Sequence, residues 1–188
     1  MCAHIIRMFY SNIIEHDLDE SYLKSSLFGI IVKVTPEVIV EVLGIPMVEA
    51  PFVSELEITS ELLDRVSIDL WREIRGQLGL VVHIGSISRP TWVMAIFLTF
   101  SIYLSSHQAD IHKKGCILLS RILHREPTNL ASCILDEMIV RGDPFVSKNE
   151  VLPYDILITK IFQRVGVEFP INSFFLEPMG PIDTSSWN

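Results

Sequence analysis

Hydrophobic and polar positions along this chain follow two periods, and the helical one dominates. In residues 4–14 (HIIRMFYSNII) the apolar side chains Ile5, Phe9 and Ile13 recur every four positions, which predicts a short helix with one buried stripe. The acidic run EHDLDE at 15–20 interrupts that pattern. In the following SYLKSSLFGIIVKV the period falls to two: Ile30, Val32 and Val34 share one side and Lys33 takes the other. Such alternation predicts a strand, read as the second arm of a small β-hairpin near the N-terminal third.

Punctuation then marks out the helices. Thr35-Pro36-Glu37 is a helix start, because Thr35 can cap, Pro36 suits the first helical position and Glu37 favours the positive end of the dipole. The helix PEVIVEVL stops at Gly44, with Pro46 just beyond. Residues 49–58 read as an exposed loop. A second helix starts near Thr59 or Ser60 and carries Leu62, Val66, Leu70 and Ile74 on one face. The glycines 76, 79 and 85 surround LVVHI, a short strand, and Arg89-Pro90 leads into a buried helix over 91–104. A helix over 109–125 buries Ile111, Leu119, Ile122 and Leu123 and ends at Pro127; another over 129–141 buries Leu130, Ile134 and Met138 and closes at Gly142. Pro153 opens the most regular helix, in which Tyr154, Leu157, Ile158, Ile161, Phe162 and Val165 keep one face apolar up to Gly166. The tail FFLEPMGPIDTSSWN has two prolines and no periodicity.

The pattern therefore predicts a mainly α protein, a single-domain helical bundle of six to eight helices with that small hairpin, spanning residues 1–170 and followed by a proline-containing tail at 171–188. Composition agrees with a folded core: of 188 residues 49% are hydrophobic and only 20% charged, and mean hydropathy is +0.39. The longest uncharged apolar run, Trp92 to Leu104, is 13 residues, short of the roughly 18 needed to cross a bilayer. No membrane span and no signal peptide are read from it. Three cysteines, Cys2, Cys116 and Cys133, suggest no disulfide framework, so an intracellular setting is expected, with nucleus and cytoplasm undistinguished.

Several residue blocks in order resemble a known family. RMFYSNI, FGIIVKVTPEVIVEVLGIP, SRPTWVMAIFLTFSIYLSSHQADI, KKGCILLSRILHREPTNLASCILDEMI, ITKIFQRVGVEF and GPID are similar to successive blocks of the putative plant transposon protein domain, found in retrotransposon-like reading frames of plants. The resemblance covers about residues 7–183. Leu104 departs from it, since the family often has Pro before its Thr/Ser-Ser-His turn, here Ser105-Ser106-His107. The resemblance implies an origin in a mobile element. It implies no established activity and no catalytic residues to carry over.

Candidate chemistry is sparse. His112 and Cys116 stand four apart, as two ligands on one helix would, and His107, His124 and Cys133 lie near in sequence, but no CxxC or HExxH accompanies them and no metal or cofactor is assigned. Cys133, His124 and Asp136 have no spacing that supports nucleophilic catalysis, and an enzyme is not expected. Gly76-Gln77-Leu78-Gly79 has the bare form of a nucleic-acid GXXG loop and reads as a turn. Trp71 and Trp92 are expected in the core. Ser106 and His107 form a motif turn, read as a cap for the 109–125 helix. At 100° per residue Lys114, Arg121 and Arg125 project within about 40° of one line on that helix, with Lys113 and His112 beside it.

Net charge is −8, which opposes non-specific binding of nucleic acid. A local stripe of Lys113, Lys114, Arg121 and Arg125 leaves such binding possible. The leading expectation is a non-enzymatic protein-interaction or assembly module with a protein partner or self-association. Nucleic-acid binding through that stripe is the alternative, and no small-molecule substrate is identified.

Overall fold

A computed structural model describes residues 3–18, 20–51, 53, 55–74, 79, 81–103, 110–142 and 154–167. Among them are seven α-helices and two small antiparallel sheets, so the protein is mainly α. Helix α1 (Ala3–Ser11) leads into β1 (Ile13–Asp17), β2 (Tyr22–Leu27) and β3 (Ile30–Val34). These strands form a sheet in the order β1-β2-β3, with Leu23 opposite Val34 and Leu27 opposite Ile30. The expected hairpin is therefore the second half of a three-stranded meander.

The acidic run conceals β1, whose Glu15 is paired on the sheet's outer face. Glu15 Oε2 accepts from Lys24 Nζ at 2.6 Å and its Oε1 from the Tyr22 hydroxyl at 2.5 Å. Those hydrogen bonds, first from Lys24 and then from Tyr22, hold the Glu15 carboxyl below its usual range. On the inner face Leu23, Leu27, Val32 and Val34 are buried. Ser25 sits among them and donates to the Phe9 carbonyl at 2.7 Å, tying β2 to α1.

Helix α2 (Pro36–Leu43) begins and ends as its sequence dictates. Thr35 accepts from the Val38 amide at 3.4 Å. Gly44 takes the left-handed conformation, φ 66°, that lets its amide reach back to the Val40 carbonyl. Thr59 likewise caps α3 (Ser60–Trp71) through the Leu62 amide. This helix stops three residues before the sequence pattern does. Arg72 turns left-handed at φ 61°, and Ile74 lies beyond the helix and exposed.

Strand β4 (Val81–His83) pairs with β5 (Asp110–His112), Val82 facing Ile111. Ile111, expected in a helix over 109–125, is thus a strand residue, and α5 runs only Lys113–Leu123. The residue at its cap position is His112 and not Ser106, with no side-chain capping bond. Ser106 and His107 lie outside the described residues. Helix α4 (Arg89–Ser101), α6 (Leu130–Gly142) and α7 (Asp155–Arg164) complete the chain.

The buried apolar side chains make one continuous cluster. At one end α1 packs on β2, α6 and α7, with the Phe9 and Phe162 rings edge to face at 5.7 Å between centroids. At the other, α5 is enclosed by α3, α4 and the β4–β5 ribbon, so Gly115 to Arg121 are all buried. Gly115 allows the close approach: a Cβ there would stand 2.7 Å from Ile111 Cγ1 and 3.1 Å from the Tyr103 ring. No helix among the described residues is long and apolar enough to cross a membrane.

Candidate functional site

Among the described residues four surfaces or clusters bear on function once the core is accounted for, and the first is the basic stripe. Arg121 does not belong to a solvated face. Its side chain is 10% exposed, Nη2 donates to the Pro127 carbonyl at 2.6 Å and Nε stands 3.6 Å from Glu126 Oε2. Glu126 is held from its other side by Arg65 of α3, Nη1 to Oε1 at 2.5 Å. Arg125 lies past the end of α5, exposed, in the left-handed region at φ 55°. Lys113 is half-buried and Lys114 exposed at the first turn. The straight line drawn from helical spacing is broken twice: once because α5 turns its Arg121 face onto Pro127, and once because the helix ends before Arg125.

The second cluster lies where α3 meets the end of α5. Asp69 accepts from the Ser120 hydroxyl at 2.5 Å, and both its carboxylate oxygens are 3.1 Å from His124 Nε2. The neighbouring Asp69 carbonyl accepts from Thr91 of α4 at 2.9 Å, so three helices meet at one residue. Serine, aspartate and histidine are present here, but the aspartate is central and the serine is fully buried. A nucleophile needs an open approach as well as a base beside it; Ser120 has the Asp69 carboxylate but no approach, and the cluster is a clasp. Nothing local in the sequence announces these pairings, since Asp69 and His124 are 55 positions apart and Arg65 and Glu126 are 61 apart.

Third is a small recess lined in part by Tyr103, Lys114, Cys133, Asp136, Glu137 and Val140. Glu137 pairs with Arg141 at 2.8 Å, and Arg141 also donates to the Tyr103 carbonyl. Burial pushes the Cys133 thiol up to about 12, with Asp136 adding to it, and burial does the same to Cys116. Thiols held protonated are poor nucleophiles and poor metal ligands. Cys116 packs inside α5 while His112 projects from β5 outward, so the two do not converge as ligands on one helix. Among the described residues no group of three or more His, Cys, Asp or Glu is placed to hold a metal ion. Cys133, His124 and Asp136 form no set either, because His124 is turned to Asp69.

The sequence pattern most misreads α4. Its inner face, Thr91, Ala95, Leu98 and Thr99, is buried. Its outer face presents Val93 and Phe97, each 58% exposed, with Phe100 and Trp92 beside them. Trp92, expected in the core, is a surface residue; Trp71 is half-buried and donates its indole N–H to Ser86. Val93, Phe97 and Phe100 follow i, i+4, i+7 spacing and so make one stripe along the helix.

What these features define is a mainly α-helical domain whose polar clusters join helices and whose helix α4 presents an exposed apolar stripe. The profile of the putative plant retrotransposon-related domain matches residues 1–168. The chain belongs to that family, and the resemblance drawn from its sequence blocks holds over those residues; the GPID block at 180–183 lies beyond them. No curated protein and no solved structure matches it.

Proposed function

We propose that this retrotransposon-related domain is a non-enzymatic protein-interaction or assembly module, and that it associates with itself. The observation that carries the reading is the outer face of α4. A helix that turns Val93, Phe97 and Phe100 to solvent leaves apolar area in water, and association is the ordinary way to remove it. Aromatic side chains supply large contact area at low conformational cost, which is why they are enriched in interface cores. The polar clusters, in contrast, are spent on joining helices. Two buried, free cysteines accord with a reducing, intracellular setting.

Sedimentation velocity of the whole chain over a concentration series tests this. The expected result is a mass that rises with concentration in the wild type and stays monomeric in a Val93→Ser, Phe97→Ser double variant of unchanged circular dichroism. A wild type that is monomeric throughout would overturn self-association through α4.

Nucleic-acid binding, the alternative reading, rests on fewer surface cations than the sequence suggests, because Arg121 is inside and only Lys113, Lys114 and Arg125 remain of the four. Each phosphate contact contributes to the dependence of affinity on salt, so a three-cation surface gives a shallow slope. Titration of labelled RNA and duplex DNA at two salt concentrations decides between the two readings.

A further inference from the structure

We draw no further inference here: the strongest candidate, the exposed apolar face of α4 formed by Val93, Phe97 and Phe100, already carries the proposed function, and nothing in the structure shows what covers it.

Discussion

An Arg121→Met variant keeps the aliphatic stem of residue 121 and removes only its guanidinium. Two interactions are lost. One is the hydrogen bond from Nη2 to the Pro127 carbonyl, 2.6 Å long and almost shielded from water. A bond from a charged donor contributes about 1.5–3 kcal/mol, and leaving the carbonyl unpaired adds to the loss. The other is the ion pair with Glu126 at 3.6 Å. The Glu126 side chain is 30% exposed and keeps Arg65, so this part contributes only about 0–1 kcal/mol. Together they predict a loss of roughly 1.5–4 kcal/mol, from the sum of those two ranges.

Urea unfolding followed by circular dichroism reads this directly. With a denaturant slope near 2 kcal/mol per M, the midpoint should fall by about 0.75–2 M at unchanged slope. Lys114→Met and Arg125→Met serve as comparisons, since each removes an exposed cation and should stay within about 0.5 kcal/mol of wild type. A stripe of equivalent, solvated cations predicts the opposite pattern, with three nearly silent substitutions. If Arg121→Met costs less than about 0.5 kcal/mol, the buried clasp is wrong and the stripe regains its best-placed residue.

Asp69→Ala should lower stability by about 1–3 kcal/mol, because it leaves the fully buried Ser120 hydroxyl without its acceptor; restoring much of that loss with Ser120→Ala in the same chain would identify the hydroxyl as the cause. Gly115→Ala places a methyl 2.7 Å from Ile111 and 3.1 Å from the Tyr103 ring, and a loss of about 1–3 kcal/mol in thermal unfolding is expected; a neutral outcome would mean that β5 moves freely relative to α5. Cys116 and Cys133, both pushed up to about 12 by burial, should resist a thiol reagent at pH 8 in the folded protein and react fully in urea. Their linkage has a definite sign. Unfolding returns each thiol to a value near 9, so the unfolded chain loses these protons first, and the contribution present below pH 9 declines as pH rises from there toward 12. A urea midpoint that rises between pH 9 and pH 10.5 would contradict buried, protonated thiols.

Where local signals decide structure, the sequence is legible to the residue. Thr35-Pro36-Glu37 and Gly44 bracket α2 because the hydroxyl, the fixed φ and the missing Cβ each act within one turn. The stripe of Leu157, Ile158, Ile161 and Phe162 is buried because helical spacing alone puts those four on one face of α7. Strand β1 is hidden in the sequence because Glu15 and Asp17 are strand residues only by virtue of partners on β2, and Ile111 reads as helical because its pairing partner, Val82, lies 29 positions earlier. Both decisions belong to tertiary contacts that a window of the sequence does not contain.

Helices α4 and α5 show why the candidate site was the least legible part. Periodicity states which residues share a face; it does not state how many neighbours surround the helix. Helix α5 carries three basic residues in eleven, yet α3, α4 and the β4–β5 ribbon enclose it, and Arg121 is drawn inside to meet Pro127. Helix α4 has one charge in thirteen residues and reads as core throughout, yet its described neighbours α5, β5 and the turn at Ile84–Ser86 leave Val93, Phe97 and Phe100 outside. Reading charge as surface and apolarity as interior therefore inverts the two helices. The same inversion shifts the functional argument from a basic stripe, whose central residue is structural, to an aromatic one, whose exposure only packing against another surface would relieve.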